Sequence, residues 1–254
     1  MKNLFLYTSP DHCLDKESEV LLKIQIDNSL AFGWKKEDIL FVTNFDYEYS
    51  GIRALVIGDF YYIGDKTSNK VPVINELFRL GLIQKGKLYW YHDLDAYENY
   101  KISQEELSTD GIDLGLTNYG YKEAWNCGSL FFNSNAIDVF ALWLKKLLER
   151  EKRSRADEKA LKFLTDHGFI DKKRYKVLGS TYNFQYLYLP RHYYYDKTEK
   201  PLRVLHFHPS WTKEQDQRLF GETTLDVYMH GKGRLSFSLM SEGLIKIFNK
   251  HGIF

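Results

Sequence analysis

Cysteine and long apolar runs are scarce in this chain. Its 254 residues include only 2 cysteines, Cys13 and Cys127, which are far apart and lack the spacing of metal ligands. Such sparse use of cysteine favours a reducing compartment over a disulfide scaffold. The first apolar run, residues 3–9, is too short for the apolar region and cleavage site of a signal peptide, and no run approaches the ~18 residues of a membrane span. We therefore expect a cytoplasmic protein with no transmembrane segment.

The chain also lacks an excess of charge of either sign. The 35 Lys and Arg residues balance 34 Asp and Glu residues, and the net charge of +1 argues against a protein that coats a polyanion, so no nucleic-acid partner is expected. With 5 prolines, 16% aromatic and 44% hydrophobic residues, the composition is that of a folded protein. No internal repeat or linker-like segment divides the chain. A single domain over residues 1–254 is the simplest expectation.

Two hydrophobic periodicities alternate along the chain. Short apolar runs predict strands at residues 3–9, 38–44, 54–58, 87–92, 112–118, 129–133, 175–178 and 203–207. Helical spacing predicts helices at residues 17–32, from 67 or 68 to 83, and at 136–149, 157–167 and 242–250. This alternation is typical of an α/β fold with an open sheet whose first strands are parallel. Ligands of such sheets bind beyond the carboxyl ends of the strands.

The strongest chemical signal is the triplet Asp93-Leu94-Asp95. Two carboxylates at positions i and i+2 can converge on one divalent cation across a tight turn, and hard oxygen ligands suit Mn²⁺ or Mg²⁺. As a motif alone, such a triplet is more often a solvated turn or a helix cap. Its position favours a metal site, because the triplet directly follows the apolar run at residues 87–92 and so lies at the carboxyl end of a buried strand.

Haloacid dehalogenase-like phosphatases and GT-A glycosyltransferases both place an Asp-x-Asp at such a strand end. The phosphatases need Thr or Val two positions after the second Asp, where this chain has Tyr97, and they carry the motif early in the chain. The chain instead resembles GT-A enzymes, in particular the glycogenin-like and lipopolysaccharide galactosyltransferase-like families. The segments that carry this resemblance, besides the acidic triplet, are WNCGSLFFN at residues 125–133, DEKAL at 157–161, STYNFQ at 180–185 and VLHF at 204–207.

The resemblance implies a GT-A fold, which is a Rossmann-like open mixed sheet with flanking helices. It implies a metal-dependent glycosyltransferase that moves a sugar from a UDP- or GDP-linked donor to a hydroxyl group of a carbohydrate or glycoconjugate acceptor. Residues 1–95 would form the nucleotide-binding half, and residues 96–254 the acceptor-binding half with the C-terminal elements. The chain departs from the family pattern at Tyr182, where the family has Trp, and at residues 208–210, where the family has Gly before a Lys-Pro-Trp run.

His206 completes the metal site in this resemblance, beside Asp93 and Asp95, which would also hold the donor through the cation. A lone histidine among apolar residues is otherwise more often a hydrogen-bonded core residue. His208 lies two residues further on, and a strand would point both imidazoles to one face. Two arrangements are therefore possible: both histidines bind the metal, or one binds it and the other supports the first. His206 is favoured as the ligand because it occupies the family position. The implied cofactor is Mn²⁺ or Mg²⁺.

Donor-binding residues are implied at the ends of the first strands and at two lysines. The resemblance places the base and ribose near Tyr7, Thr8 and Ser9, with Asn44 or Phe45 at the end of the second strand. Tyr7 is equally a candidate packing residue. Lys70 begins the helix before the acidic pair, where the family's Lys or Arg meets the donor phosphates or the first acidic residue. Lys213 is a second phosphate candidate. For both lysines, a solvent-exposed position is the alternative.

Asp157 and Glu158 are the candidates for the chemistry itself. One of them would be the base of an inverting enzyme, or would stabilise the transition state or form a covalent intermediate in a retaining one. The alternative is an acidic helix start that the helix dipole favours. The resemblance places substrate contacts at Asn126, Gly128, Asn183 and Gln185.

Two other functions are compatible with the sequence. A sugar-phosphate nucleotidyltransferase uses a related fold and metal, but it needs a Gly-rich, Arg-containing loop after the first strand, where this chain has SPDH at residues 9–12. A non-catalytic sugar-binding descendant of the fold is the other, and the complete set of Asp93, Asp95 and His206 counts against it. Neither a P-loop nor a G-x-G-x-x-G sequence is present, so the motifs do not support a nucleotide kinase or a dehydrogenase.

Overall fold

A computed structural model of the chain describes residues 1–60, 68–107, 111–120, 124–149, 155–185, 193–207, 228–229, 233–234 and 239–253. The strands are, in chain order, β1 (Lys2–Tyr7), β2 (Ile39–Thr43), β3 (Glu48–Tyr49), β4 (Ile52–Arg53), β5 (Leu55–Val56), β6 (Leu88–His92), β7 (Ala96–Glu98), β8 (Leu114–Asn118), β9 (Trp125–Asn133), β10 (Tyr175–Val177), β11 (Val204–His206), β12 (Tyr228–Met229) and β13 (Gly233–Arg234). The α-helices are α1 (Lys16–Ala31), α2 (Lys70–Arg79), α3 (Gln104–Leu107), α4 (Ile137–Leu148), α5 (Ala156–Asp166), α6 (Tyr193–Lys197) and α7 (Glu242–Lys250). Within these ranges, no helix combines the length and the apolar character that crossing a membrane requires.

The central sheet is mixed, with a parallel half built from the N-terminal strands. Its strand order is β10-β8-β9-β6-β1-β2-β5. β1 pairs in parallel with both β2 and β6, and β2 pairs in parallel with β5. β9 runs antiparallel to β6 and β8, whereas β10 is parallel to β8. The predicted α/β class and the parallel arrangement of the first strands are therefore confirmed.

Helices cover both faces of this sheet. Because side chains alternate across a strand, neighbouring residues of β1 enter different cores. Leu4 joins the apolar cluster formed with α2, α4 and α5, where Trp143 is fully buried. Phe5 joins the cluster on the α1 side, with Leu22 and Ile26. Burial on both faces is the reason why the parallel strands are continuous apolar runs in the sequence.

Several element ends differ from the predicted ones. The helix expected to reach residue 83 ends at Arg79, and Gly81 adopts a left-handed φ of +69° just beyond it. Glycine is favoured in this conformation after a helix, because it has no Cβ to clash with the turn. The strand expected at residues 54–58 is limited to Leu55–Val56.

The short strand β7, directly after the acidic pair, is not predicted from the sequence. It pairs antiparallel with β11, and the register places His206 opposite Ala96. All three residues of β7 are buried, and so short a run cannot show the period of two that identifies a strand. This pairing brings the late histidine to the acidic pair.

The C-terminal helix α7 packs behind β7 and β11. Ser241 caps its first turn by accepting a backbone hydrogen bond, as the sequence predicts. Phe248 is fully buried and packs on Tyr97 and Phe207, with ring centroids 4.9 and 5.5 Å away, respectively. Since Phe207 directly follows His206, α7 supports the strand that carries this histidine.

Candidate functional site

The acidic pair lies in a tight turn at the carboxyl end of β6. The backbone N–H of Asp93 donates to the carbonyl of Gly128 on β9 at 2.8 Å, and the N–H of Ala96 donates to the carbonyl of Asp93 at 3.1 Å. β6 is buried along its whole length, so packing of the sheet determines where the turn begins. The side chains of Asp93 and Asp95 remain partly accessible, with 27% and 24% of their surface exposed.

His206 meets the acidic pair across the β7–β11 pairing. Its Nε2 lies 3.2 Å from Oδ1 of Asp95. One ligand atom from each of Asp93, Asp95 and His206 lies within 4.8 Å of the other two. Burial lowers the pKa of His206, but the carboxylates of Asp95 and Asp93 outweigh burial and raise the pKa above 6.5. The structure thus brings together the three side chains that the sequence proposes as metal ligands.

The chemistry of this cluster fits a divalent cation. Two carboxylates and one imidazole are ligands that Mn²⁺ and Mg²⁺ accept, with the oxygens preferred by both. Gly128 keeps the cluster open, because a Cβ at this position would lie 2.1 Å from Cε1 of His206 and 3.1 Å from Oδ2 of Asp93. Any side chain at residue 128 would therefore occupy the space that the ligands need.

Lys70, the first residue of α2, is a buried cation beside the cluster. Its side chain is 5% exposed, and Nζ lies 3.1 Å from Oδ1 of Asp93 and 3.4 Å from Oδ2 of Asp157. Burial lowers the pKa of Lys70, but the charges of Asp93 and Asp157 outweigh burial, so the pKa is raised well above 10.5. Lys70 therefore stays protonated between two carboxylates. The solvent-exposed alternative considered for this lysine is wrong.

Tyr91 also holds the first acidic residue, and the sequence contained a signal for it. Its hydroxyl donates to Oδ1 of Asp93 at 2.5 Å. Burial raises the pKa of Tyr91 well above 10, so the hydroxyl keeps its proton and acts as a donor. Residues two apart on an extended segment point to the same face, and the spacing of Tyr91 and Asp93 is the signal that the sequence offers for this contact.

Asp157 and Glu158 share the first turn of α5 but have different surroundings. Asp157 is 1% exposed, and its Oδ1 accepts from the hydroxyl of Ser68 at 3.3 Å while Oδ2 faces Lys70. Glu158 accepts from the hydroxyl of Tyr119 at 2.7 Å. Burial raises the pKa of both carboxyls, opposed at Asp157 by Lys70 and at Glu158 by the hydrogen bond from Tyr119.

Arg155 precedes α5 in a left-handed backbone conformation, with φ of +57°. Its guanidinium carbon lies 5.7 Å from the ring centroid of Tyr119. Non-glycine residues are uncommon in this region, and such strain concentrates at functional sites. Sequence reasoning missed both residues, because they are far apart in the chain and their approach depends on tertiary packing.

One cavity of about 820 Å³ joins these groups. Of the residues proposed from the sequence, its lining includes Tyr7, Thr8, Lys70, Asp93, Asp95, Asn126, Gly128, Asp157, Glu158, Gln185 and His206. Asn69, which was not proposed, also lines the cavity and donates to the hydroxyl of Thr8. The hydroxyl of Tyr7 donates to Asp15, the residue that caps α1.

Asn44 and Asn183 are buried outside the lining of this cavity. The amide of Asn44 accepts from the N–H of Ser9 at 3.0 Å and donates to the carbonyl of Ser9 at 2.7 Å. The amide of Asn183 is likewise bonded to protein groups on both of its polar atoms. We therefore regard both as supporting residues rather than ligand contacts. Lys213 and His208 lie outside the described residues.

Solved structures with a similar fold include several glycosyltransferases. The galactosyltransferase LgtC, in complex with donor and acceptor sugar analogs, matches with a TM-score of 0.56 and 15% identity over 99% of this chain and 95% of that chain. A glycosyltransferase involved in glycosylation of the major capsid of PBCV-1 matches with a TM-score of 0.52 and 12% identity, over 81% and 93% of the two chains. The apo form of the glycosyltransferase GlyE of Streptococcus pneumoniae TIGR4 gives a TM-score of 0.52 and 15% identity, over 84% and 57%. No protein-family model matches the sequence, and no curated protein matches it.

These likenesses establish the architecture of the chain. Identities of 12 to 15% show the fold alone, and that fold is the GT-A fold. The expectation drawn from the sequence resemblance is therefore confirmed at the level of the fold. Activity has to be argued from the side chains of the site, since one fold carries several functions.

Proposed function

We propose that this protein is a metal-dependent glycosyltransferase that uses a UDP- or GDP-linked sugar and a hydroxyl group of a carbohydrate or glycoconjugate acceptor. One observation carries the proposal. Asp93, Asp95 and His206 form a cluster suited to a cation at the carboxyl end of β6, in the same cavity as Lys70 and Glu158. Open α/β sheets bind their ligands at this edge. In this proposal residues 1–95 bind the nucleotide, and residues 96–254 bind the acceptor and contribute the C-terminal elements.

Sugar transfer from such a donor releases a diphosphate, whose negative charge must be neutralised. A divalent cation held by Asp93, Asp95 and His206 would supply positive charge to the diphosphate oxygens when bound. Lys70 contacts both carboxylate oxygens of Asp93, and Tyr91 donates to one of them. These contacts hold Asp93 in place before any ligand arrives, which is the preorganisation that electrostatic catalysis requires.

Two buried amide atoms of the cavity match the hydroxyl groups of a sugar. Oδ1 of Asn69 and Nδ2 of Asn126 have no hydrogen-bond partner within the described part of the chain, and both residues line the cavity. A buried polar atom without a partner costs about 1–3 kcal/mol, so a ligand that satisfies it binds more favourably. A sugar hydroxyl both donates and accepts, and it can therefore serve either atom. We assign these two amides to the donor sugar.

Glu158 is the better candidate for the reacting carboxylate. Asp157 is almost fully buried and is engaged by Lys70 and Ser68, so we assign to it the role of holding Lys70. Glu158 is less buried and is oriented by Tyr119. Its raised pKa brings the carboxyl closer to neutral pH, where a general acid or base is most effective.

A panel of UDP- and GDP-linked sugars, assayed for hydrolysis and transfer with and without Mn²⁺, tests this function. We expect turnover of at least one donor that depends on Mn²⁺ or Mg²⁺. Glu158→Gln should lower turnover by ~10²-fold or more, the scale of a lost acid–base group, while donor binding persists. Asp95→Ala should lose cation-dependent nucleotide binding and remain folded.

The matched control is Asp166→Ala, which removes an acidic residue from the far end of α5, where Asp166 pairs with Lys162 at the surface. This variant should retain both nucleotide binding and turnover. Turnover that is independent of divalent cations, or undiminished cation-dependent binding by Asp95→Ala, would contradict the proposed function.

A further inference from the structure

Asn183 belongs to a buried polar network directly behind the cation cluster. Its Nδ2 donates to the hydroxyl of Thr117 on β8 and to the carbonyl oxygen of Asn126 on β9, both at 3.0 Å. Its Oδ1 lies 2.9 Å from Nδ1 of His206 on β11. Asn183 is 1% exposed, so its polar atoms find their partners in the protein rather than in solvent. The network therefore joins three strands at the back of one candidate ligand.

The network decides which way the amide of Asn183 points. An amide can be turned by half a rotation, and its orientation must be inferred from its hydrogen bonds. The carbonyl oxygen of Asn126 only accepts, so the atom of Asn183 that faces it must be the nitrogen. If the amide were turned, Oδ1 of Asn183 would face the carbonyl oxygen of Asn126 in a buried place, and the hydrogen bond between the two residues would be lost. Oδ1 therefore faces His206, and Nδ1 of His206 must carry a proton to donate to it.

A contact with Gln185 favours the opposite tautomer of His206. Nε2 of Gln185 lies 3.1 Å from Nδ1 of His206, and a hydrogen bond between them requires Nδ1 without a proton. That arrangement would set the lone pair of Nδ1 against Oδ1 of Asn183 at 2.9 Å. Gln185 lines the cavity, and its amide can turn so that its oxygen faces the imidazole. Asn183 cannot turn without losing its bonds to Thr117 and Asn126, so of the two amides it is Asn183 that favours a proton on Nδ1.

We propose that Asn183 is a positioning residue that holds the imidazole of His206 in the tautomer with its proton on Nδ1. Nε2 is then the nitrogen available to a cation, beside Asp95, whose Oδ1 lies 3.2 Å away. Without a cation, this carboxylate accepts from a protonated Nε2, so Asp95 and Asn183 compete for the single proton of the neutral imidazole. A neutral histidine binds a cation through its unprotonated nitrogen, and the partner of the other nitrogen decides which nitrogen that is. This inference rests on the proposed function, because it concerns the same cation site.

The tautomer of His206 can be measured without any cation. Long-range ¹H–¹⁵N NMR correlation of the imidazoles, at a pH where His206 is neutral, distinguishes a proton on Nδ1 from one on Nε2. The His206 signals are assigned by their absence from His206→Gln. We expect a measurable population of the Nδ1–H form in the wild type and its loss in Asn183→Leu, because Gln185 and Asp95 alone then determine the tautomer.

Two further variants separate this role from a merely structural one. Gln185→Leu removes the competing donor and should keep the Nδ1–H form. Thr117→Val removes one of the two anchors of the Asn183 amide and should give an intermediate population, which provides a test should Asn183→Leu fail to fold. In calorimetric titrations with Mn²⁺ and UDP or GDP, Asn183→Leu should weaken binding by ~10–100-fold, and Gln185→Leu by less.

The outcomes are distinguishable from those of the proposed function. An imidazole found only in the Nε2–H form in the wild type, or an unchanged Nδ1–H population in a folded Asn183→Leu, would overturn the role of Asn183. If the tautomers behave as expected but the wild type binds no Mn²⁺ with either nucleotide, the positioning of His206 stands and the proposed function fails.

Discussion

Gly128 is the residue at which a single added carbon has the largest expected effect on the cation cluster. A Cβ there would lie 2.1 Å from Cε1 and 2.5 Å from Nδ1 of His206, distances that force the ring to move. The ring is hydrogen-bonded to Asn183, so displacing it separates the ligand from its support. We expect Gly128→Ala to weaken Mn²⁺-dependent nucleotide binding by ~10-fold or more, measured by calorimetry.

Gly243, in the first turn of α7, provides the matched control for this substitution. The nearest atoms to a Cβ at this position lie 3.9 Å away, an ordinary contact distance. Gly243→Ala should therefore leave nucleotide binding unchanged, and it should stabilise the helix by up to ~1 kcal/mol. Equal binding by Gly128→Ala and the wild type would show that the cluster does not hold the cation.

Glu98 gives the fold a predictable dependence on pH. It is 1% exposed and accepts from Nε1 of Trp34 at 2.6 Å and from the N–H of Ile102 at 2.8 Å. Burial, opposed by these two hydrogen bonds, raises the pKa of Glu98 from 4.5 to about 7. Because the folded state binds this proton more tightly, the stabilisation is fully present below pH 4.5 and is lost as the pH rises through about 7.

Glu98→Gln removes this titration while keeping the size of the side chain. The rise in the pKa of Glu98 from 4.5 to about 7 corresponds to ~3 kcal/mol of folding free energy. We therefore expect the stability of the wild type relative to Glu98→Gln to fall by about that amount between pH ~4 and ~8, in urea unfolding at constant ionic strength. Glu37→Gln, at an exposed position, controls for the loss of a carboxylate. Parallel pH profiles for wild type and Glu98→Gln would contradict the assigned shift.

Individual site residues differed in how far the sequence predicted them. Asp93 and Asp95 were predictable because they follow a buried apolar run, and the end of a strand is a local property of the sequence. Asn44 was expected at the end of the second strand, but whether its amide turns to a ligand or to Ser9 depends on the neighbouring loop. Asn183 was expected to contact substrate, and its burial behind His206 depends on contacts between distant segments.

At the scale of elements, α7 is expected to contribute strongly to the stability of the strand that carries His206. Phe248 on α7 is fully buried and packs on Tyr97 and Phe207. Phe248→Ala should lower the free energy of unfolding by ~3–5 kcal/mol, as measured by urea denaturation. Because Phe207 adjoins His206, cation-dependent nucleotide binding should weaken in the same variant.

Lys246→Ala is the control for this substitution, since it changes an exposed residue of the same helix. Its stability should stay within ~0.5 kcal/mol of the wild type. A Phe248→Ala variant as stable as Lys246→Ala would mean that α7 does not support the core behind β11.

Most of the elements that the sequence predicts are long enough to show a period. The amphipathic helices and the strands of the parallel half belong to this group, and the helix predicted to reach residue 83 ends at Arg79, before the turn at Gly81. β7 and β11 are three residues each, and their pairing joins segments that are far apart in the chain. No local pattern specifies such a pairing, yet it is the pairing that brings His206 to Asp95.

At the scale of the whole molecule, the cavity joins residues from both halves of the chain. Tyr7, Thr8 and Lys70 come from the first 95 residues, while Glu158 and Gln185 come from the second part. The parallel strands and their crossovers place the first group at one edge of the sheet, as the alternation of periods predicts. The second group reaches the same edge through α5 and through the segment before β11, whose positions follow from tertiary packing.

If the cation and the nucleotide share one site, each should strengthen the binding of the other, and the thermal stability of the whole molecule should depend on their joint presence. Mn²⁺ and Mg²⁺ take on the order of six ligands, and Asp93, Asp95 and His206 supply three side chains. Diphosphate oxygens would complete the set, so Mn²⁺ and UDP or GDP should raise the melting temperature more together than the sum of their separate effects. At a ligand concentration of 100 times Kd, binding stabilises the folded state by ~2.7 kcal/mol, which for a chain of about 250 residues raises the melting temperature by roughly 5–11 °C.

Calorimetric melting measures this rise in melting temperature, which should disappear in Asp95→Ala and persist in Asp166→Ala. Strictly additive effects of cation and nucleotide in the wild type would indicate two independent sites, and the shared site would have to be abandoned.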